Sequence, residues 1–218
     1  VFERSAEKIA FPAGIALQAY LRSAEDDARR LIAWARRSGR RVTVRLIKGA
    51  YWDYEIVHAE QMGWPLPVWT KKAATDASFE RVAEIILSSA PRAGGEGGVC
   101  LAAGSHNLRS IARILALLEH HNLPREAVEF QMLYGMAAEV KAALLAEKLR
   151  LREYVPLGEM IPGMAYLVRR LLENTSNESW LRAGFSEQLD PMQLRAAPHR
   201  ATSATEQAED SFLNRAAR

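Results

Sequence analysis

The segment RVTVRLIKGAYWDYE, residues 41–55, joins an apolar strand to a group of functional side chains. Its first ten residues are rich in Val, Leu and Ile and predict a β-strand. Arg45 lies inside this strand, where a charge is costly unless it is paired. Gly49 allows the backbone to come close to a ligand, and Tyr51 begins an aromatic pair beside it. The segment predicts a ligand pocket at the C-terminal end of the strand; solvent-facing charges are the ordinary alternative for Arg45 and Lys48.

The alternation of strand and helix recurs along the chain. Five strand-like runs each precede a helical stretch, at residues 14–21, 41–50, 99–107, 127–136 and 152–158. Nearly continuous apolar strands separated by helices are typical of a buried parallel sheet in an α/β fold. A doubly wound sheet and a (β/α)8 barrel of the TIM type both fit this pattern. The barrel is favoured because polar residues gather at the C-terminal ends of the strands, the face on which such barrels build active sites.

Amphipathic stretches between the predicted strands indicate the helices. In the first stretch, Ser23 is a candidate N-cap with Asp26 three residues on, as in a capping box. Apolar residues at helical spacing share one face of this stretch, and Gly39 is a candidate C-terminal stop. Later stretches predict helices at residues 53–62, 76–90, 107–121, 137–149 and 164–175.

Composition and charge exclude several classes of protein. The 218 residues include 29 basic and 26 acidic ones, and the formal net charge of +3 is spread along the chain. So mild a charge argues against a nucleic-acid surface. Cys100 is the only cysteine, so there is no disulfide framework, and a reducing, cytosolic setting fits. No apolar run is long enough to span a bilayer, and VFERSAEKIA at the N-terminus is not typical of a signal peptide.

The remaining polar motifs leave alternatives open. The five histidines have no convincing metal-ligand spacing, so no metal site is predicted. Neither GxGxxG nor GxxxxGK[ST] occurs, which excludes the usual dinucleotide and P-loop motifs. GSHN, residues 104–107, lacks a nucleophile elbow, so its histidine either bonds a cofactor or is structural. Arg169 and Arg170 form, with Glu173, either a solvated ion-pair face or a fork that grips a carboxylate.

Taken together, these segments resemble one enzyme family. The matching pieces follow one another in order between about residues 14 and 182, as LQAY, RLIKGAYWD, GSHN, EFQMLYGM, REYVPLG and YLVRRLLENTSNES. Each is weak alone, and the ordered set is specific. They resemble the proline dehydrogenase domain of the bifunctional proline utilization A flavoenzymes, in which GSHN more often reads ATHN.

The resemblance implies a fold, a reaction and partners. The family fold is a distorted (β/α)8 barrel that holds FAD at the C-terminal ends of its strands. The implied reaction oxidises L-proline to 1-pyrroline-5-carboxylate by hydride transfer to flavin N5, the first step of proline catabolism to glutamate. Electrons then pass to a membrane quinone. We therefore expect a cytoplasmic protein, or one peripheral to the inner membrane, which can form a homo-oligomer.

The resemblance also implies roles for individual residues around the cofactor. Arg45 resembles the arginine beside the N5 region of the flavin, where it influences the flavin's electronic properties. Further FAD contacts are expected from the side chain or backbone of Gln18, Lys48, Gly49, Ala50, Ser105 and His106.

A second group of residues is expected around the substrate. Arg169 and Arg170 resemble the pair that binds the proline carboxylate, and Glu173 resembles a residue that steadies them. Tyr154 is expected against the proline ring. Further residues of the pocket wall are Tyr51 and Leu133.

The resemblance covers only part of the family's architecture. By this comparison the chain begins at the fourth barrel strand, so strands 4 to 8 are present. Strands 1 to 3, which carry a lysine and an aspartate of the proline site, are not. Residues 1–184 are predicted as the C-terminal part of the barrel, and 185–218, rich in Ala, Ser, Thr and charge, as a linker toward an aldehyde dehydrogenase domain (L-glutamate gamma-semialdehyde dehydrogenase). We expect the isolated chain to be inactive and aggregation-prone, because an open sheet has two unpaired edges.

Two other functions fit the same residues. Lys48 at a barrel strand end is a candidate Schiff-base lysine for a lyase that uses no flavin. Alternatively, the chain is an inactive barrel fragment that binds a partner through its exposed sheet.

Overall fold

The computed structural model describes residues 13–91 and 97–161, together with Gly163, Met164, Tyr166 and Val168. Five strands form one sheet: β1 (Ala13–Gln18), β2 (Arg41–Ile47), β3 (Gly98–Gly104), β4 (Val128–Leu133) and β5 (Arg150–Tyr154). Five helices connect them: α1 (Ala24–Arg37), α2 (Trp52–Met62), α3 (Lys72–Ser88), α4 (Leu108–His120) and α5 (Ala138–Ala146). A 3-10 turn, Arg125–Ala127, leads into β4.

The strand order confirms the parallel sheet and decides between the two folds that the sequence left open. All four pairings are parallel, and the strands lie side by side in chain order, from β1 to β5. A doubly wound sheet reverses its strand order at a switch point, whereas a β/α barrel adds each strand next to the previous one. The described sheet has no reversal, so its topology is that of consecutive barrel units.

One face of the sheet is covered by helices and holds the core. In β2 the buried residues alternate with more exposed ones, so that Val42, Val44 and Leu46 point into the core. α1 packs against α3 and α3 against α4, so these helices form a continuous layer over this face. Phe79 and Ile86 of α3 are completely buried beneath that layer. Burial of apolar side chains between the sheet and the helices stabilises the sheet. The residues on the opposite face are thereby held in fixed positions.

The opposite face of the sheet is concave. The guanidinium carbon of Arg45, on β2, lies 4.4 Å from the centre of the Tyr154 ring, on β5. These strands are three positions apart in the sheet, which is about 14 Å in a flat sheet at a strand spacing of about 4.8 Å. The two side chains meet because the sheet curls toward them, as it must to close a barrel. We call this surface the concave face.

The two sheet edges are open within the described part of the chain. There, β1 pairs only with β2, and β5 pairs only with β4. Large apolar side chains after β5 are also exposed, and Leu157 reaches 92% exposure. An open edge of this kind leaves backbone N–H and C=O groups unpaired. No helix among the described residues is both long and apolar enough to cross a membrane.

Local details differ from the sequence predictions. Ser23 precedes α1 as predicted, but its hydroxyl donates to Asp27 (2.9 Å) and caps no backbone N–H, so the capping box with Asp26 is wrong. Gly39 follows the end of α1 with φ +64°, as a C-terminal stop should. α3 begins at Lys72, four residues before the predicted start at Asp76. Most of the predicted final helix, 164–175, and the linker, 185–218, lie outside the described residues.

Candidate active site

Strand alternation places four of the predicted site residues on the concave face. Side chains two residues apart along a strand point to the same side of a sheet. The concave cavity, about 560 Å³, is lined from all five strands by residues such as Ala16, Thr43, Cys100, Gln131 and Arg152, besides Arg45 and Tyr154. Gln18 and Leu133 lie two residues beyond lining residues and therefore share this face. The C-terminal strand ends bring Gln18, Arg45, Leu133 and Tyr154 together along one rim.

Arg45 has an unfilled hydrogen-bonding position. Its Nε is buried and has no hydrogen-bond partner among the described residues. Its guanidinium faces the Tyr154 ring, a cation–π contact that leaves the N–H donors at its edge free to bond another group. A buried donor without a partner costs about 1–3 kcal/mol. The site therefore fits an additional acceptor or π-system beside Arg45.

The loop that follows β2 is held in a fixed shape by its neighbours. The Tyr20 N–H donates to the carbonyl of Lys48 (2.8 Å), and the Ala50 N–H donates to Gln18 Oε1 (3.3 Å). Gly49 has φ +144°, and a Cβ there would lie 2.4 Å from the Tyr20 ring. Only glycine therefore fits between Tyr20 and the loop. Tyr51, which precedes α2, is 45% exposed at the end of this loop.

The side chain of Lys48 turns toward the helix layer. Its Nζ forms an ion pair with Asp76 on α3 and lies 5.9 Å from the centre of the buried Phe79 ring. Lys72 approaches the other oxygen of Asp76 at 2.6 Å. Burial lowers the pKa of Lys48 although Asp76 opposes the shift. Burial also opposes ionisation of Asp76, but the two lysines outweigh it and lower the pKa of its carboxyl.

Tyr20 completes the support of the loop. Its ring is buried beneath Gly49, and its hydroxyl donates to Glu55 on α2 at 3.4 Å. Burial, with the carboxylate of Glu55 nearby, raises the pKa of Tyr20 to about 12. The phenol is therefore neutral at physiological pH and acts as a donor.

The GSHN segment turns the chain from β3 into α4. Asn107 is the N-cap of α4, and its Oδ1 accepts from the Ser110 N–H at 3.0 Å. Ser105 Oγ accepts from the Asn107 N–H at 3.1 Å. His106 Nε2 accepts from the Leu133 N–H at 3.1 Å, which requires a neutral imidazole. Burial lowers the pKa of His106, and the nearby cation of Lys141 lowers it further.

Two charged groups in the same region were not predicted from the sequence. On the concave face, Glu129 accepts from Gln131 (2.7 Å) and from two nitrogens of Arg152 (2.7 and 2.9 Å). Hydrogen bonding by Arg152 lowers the pKa of Glu129. The sequence pattern that could have predicted Glu129 and Arg152 is the period of two in VEFQML and RLREY, where polar residues recur on one side of a strand. Lys141 and Glu153, which form an ion pair between α5 and β5, gave no such signal.

Three residues predicted to bind the substrate, Arg169, Arg170 and Glu173, lie outside the described residues. Within the described part of the chain, no group of three or more His, Cys, Asp and Glu side chains is arranged to hold a metal ion.

Parallel strands in chain order, with polar and aromatic side chains at their C-terminal ends, define the class of α/β enzymes built on the TIM-type barrel. The sequence model of the family described as "Proline dehydrogenase" matches residues 1–183, and the chain belongs to that family.

Individual relatives agree with this assignment. The chain is 35% identical over 203 residues to the "Bifunctional protein PutA" of Escherichia coli strain K12, a match that covers 90% of this chain and 15% of the relative. It is 30% identical over 171 residues to "Proline dehydrogenase 1" of Bacillus subtilis strain 168, covering 78% of this chain and 48% of that protein. The chain therefore spans only part of the relatives that it matches.

Solved structures give the same result for the fold. The structure of proline utilization A from Bdellovibrio bacteriovorus, inactivated by N-propargylglycine, is similar with a TM-score of 0.80 and 48% sequence identity. That match covers 87% of this chain and 19% of the other chain. The five β/α units are thus part of a (β/α)8 barrel of the type found in these proteins.

Proposed function

We propose that this chain forms part of an enzyme that oxidises L-proline to 1-pyrroline-5-carboxylate with FAD as the hydride acceptor. One observation carries the proposal: Arg45 presents a buried, unpartnered Nε beside Tyr154 on the concave face. The family match supplies proline as the substrate class. The same site in a protein of another family would indicate only a pocket for a planar or anionic ligand.

The residues present fit a flavin. The concave face offers the Arg45 guanidinium, and the loop of Gly49 follows the same strand, held in shape by Gln18 and Tyr20. A flavin needs donors at its ring edge, and the unpartnered Nε of Arg45 is such a donor. We propose that Gln18, Arg45, the backbone from Lys48 to Ala50, and the Ser105–His106 pair hold FAD. When bound, FAD accepts the hydride that proline loses from C5.

The chain's own residues then have positioning roles. Tyr154 and Leu133, paired partners at the ends of β5 and β4, form an apolar wall for the proline ring. Tyr51 adds to this wall, while Arg169 and Arg170, steadied by Glu173, bind the carboxylate by a planar fork. Positioning and exclusion of water are the main contributions the protein makes to such a reaction. Hydride loss requires a neutral proline nitrogen, so rate should rise with pH until the bound amine is deprotonated.

The wider setting is proposed on the basis of the relatives. Those called bifunctional have a second activity on the same polypeptide, and we infer an aldehyde dehydrogenase domain in the parent protein here. We propose a membrane quinone as the electron acceptor, a cytoplasmic location at or near the inner membrane, and a homo-oligomer. The product would then continue to glutamate.

A Schiff-base lyase is the less favoured alternative. Burial lowers the pKa of Lys48, as a nucleophilic amine requires. However, its Nζ forms an ion pair with Asp76 of α3. Lys48 is not among the residues that line the cavity of the concave face, so its amine does not face a substrate bound there. Trapping with borohydride in the presence of candidate keto acids would label Lys48 if this alternative were correct.

A visible absorption spectrum tests the proposal directly. The full-length polypeptide that contains this chain is purified with added FAD, and its spectrum is measured before and after anaerobic addition of L-proline. We expect a flavin band that bleaches with L-proline and not with D-proline. A bound flavin that stays oxidised in the full-length polypeptide would contradict the proposed substrate, and absence of any flavin band would contradict the proposed cofactor.

A further inference from the structure

We propose that Lys141, with Glu153, is a positioning pair that fixes the Leu133–Tyr154 wall in the arrangement that receives proline. This inference rests on the proposed function. Neither residue reaches the concave face, so both act through other residues and neither is catalytic.

Lys141 is unusual because its ammonium group is buried. The residue is only 8% exposed, although it lies on a short helix near the protein surface. Its Nζ donates to the carbonyl of Leu133 at 2.8 Å and forms an ion pair with Glu153. Burying an ammonium is costly unless its hydrogen bonds are satisfied. Here two partners at two different strand ends satisfy it.

Both backbone groups of Leu133 are held by side chains. Its N–H donates to His106, two residues beyond β3, and its carbonyl accepts from Lys141 on α5 and from the backbone N–H of Met136 at 3.4 Å. Leu133 is the last residue of β4, where the ladder hydrogen bonds end. The two side-chain bonds add to its register pairing with Tyr154 and hold the Leu133 backbone from two sides.

The same pair also fixes Tyr154. Leu133 is the register partner of Tyr154, and the Tyr134 N–H donates to the Tyr154 carbonyl at 3.0 Å. Glu153 and Tyr154 are adjacent in β5, so their side chains point to opposite faces of the sheet. Lys141 therefore joins the ends of β4 and β5 from the helix side, while Leu133 and Tyr154 project on the concave side.

Charge reinforces this arrangement. The Lys141 cation contributes, after burial, to the lowered pKa of His106. A neutral His106 keeps the lone pair that accepts from the Leu133 N–H. Lys141 thus supports both bonds to Leu133, one directly and one through His106.

Steady-state kinetics of Lys141→Met in the full-length, FAD-loaded protein test the proposal. We expect the KM for L-proline to rise about tenfold, with kcat within about threefold, because the ring wall shifts while Arg45 and the loop after β2 stay in place. Binding of tetrahydrofuran-2-carboxylate, a ring carboxylate without an oxidisable amine, should weaken by the same factor in a flavin-absorbance titration. Lys141→Arg keeps a cationic donor and should restore most of the affinity.

Arg125→Met is the matched control. Arg125, in the 3-10 turn before β4, forms an ion pair with Glu147 at 2.8 Å. Glu147 directly follows the C-terminal end of α5, and both side chains are largely exposed. This variant removes an ion pair from the same region without touching β4 or β5, so its KM should equal that of the unaltered protein. Equal KM changes in Lys141→Met and Arg125→Met, or failure of Lys141→Arg to restore affinity, would show a merely structural role and overturn the proposal.

A second variant covers the case in which Lys141→Met does not fold. Glu153→Gln leaves the bond between Lys141 and Leu133 in place, so we expect a smaller rise in KM, about threefold. If this variant oxidises proline with an unchanged KM, the positioning role is overturned and the proposed function stands. If the unaltered protein neither oxidises proline nor binds the ring carboxylate, the proposed function itself fails, and that result is visible before any variant is made.

Discussion

The two faces of one sheet carry out different tasks with alternate residues of the same strands. On the helix-covered face, β2 contributes Val42, Val44 and Leu46, all buried in the core. On the concave face the intervening positions include Thr43 and Arg45, which line a cavity. A period of two is thus enough to separate core residues from cavity-lining residues within seven positions of one strand. The comparison predicts that substitutions on the two faces will have separable effects.

The largest expected effect is on the helix-covered face. Phe130 in β4 is completely buried, and Phe130→Ala should destabilise the protein by about 3–5 kcal/mol through lost burial and a new cavity. Thr43→Ala, an exposed position on the concave face, should change stability by less than about 0.5 kcal/mol. Urea denaturation followed by circular dichroism measures both. Similar losses in the two variants would contradict the division between the faces.

The second largest expected effect is on the concave face, where a substitution should lower activity and leave stability nearly unchanged. Arg45→Met should lower kcat/KM for proline about a hundredfold, since it removes the donor beside Tyr154, while the melting temperature changes little. Arg41→Met is the matched control, at the N-terminal end of the same strand. Its activity should match that of the unaltered protein, because barrel chemistry lies at the C-terminal strand ends. Equal losses in both variants would indicate a general charge effect.

A smaller effect is expected where the two faces meet, at the loop after β2. Gly49→Ala would place a Cβ 2.4 Å from the Tyr20 ring at φ +144°, so it should cost about 1–3 kcal/mol and weaken FAD retention. Gly63→Ala is the control, because Gly63 also has a positive φ (+66°) but has nothing within 4 Å of its added Cβ. Differential scanning fluorimetry of the two variants separates the steric effect from backbone strain, and repeating it with FAD reports cofactor retention. Equal shifts would mean that contact with Tyr20 is unimportant.

The sequence predicted the parts of this structure that depend on short-range patterns. All five strands and the five helices among the described residues were expected, because apolar periodicity and Gly or Pro boundaries are local features. The predicted strands ran too long at their C-terminal ends, to residue 50 where β2 ends at Ile47, for example. Residues just beyond each strand still have a strand-like composition, but their backbone no longer pairs with the neighbouring strand and forms the loop instead.

Contacts between distant elements could not be predicted in the same way. Gln18, Arg45, Leu133 and Tyr154 were each expected in the site from the family resemblance, and the curled sheet brings them to one rim. The turning of Lys48 toward Asp76 depends on where α3 packs, which no local pattern encodes. The same holds for Lys141, whose partners lie eight and twelve residues away on two different strands. Tertiary packing decides where such long side chains go.

The smallest effect is a titration, and it concerns the bond that links β3 to β4. His106 accepts from the Leu133 N–H only when neutral, and burial followed by the Lys141 cation lowers its pKa in the folded protein. Because the folded pKa lies below the unfolded value of about 6.5, the stability from this bond is present above pH 6.5 and is lost as pH falls through the folded pKa. His106→Gln keeps an acceptor that does not titrate, so its stability should fall less than that of the unaltered protein between pH 7.5 and pH 5.

His58→Gln provides the control, because His58 lies on α2 and stacks on Tyr54 outside the concave face. This variant removes a histidine without touching the bond between His106 and Leu133. If His106→Gln and the unaltered protein lose stability in parallel, His106 is not the titrating group. Because the bond holds Leu133, the KM for proline should rise over the same pH interval in the unaltered protein and stay flatter in His106→Gln. Such a coupled change would show that the strand ends, unlike the core beneath them, respond to the charge of a single side chain.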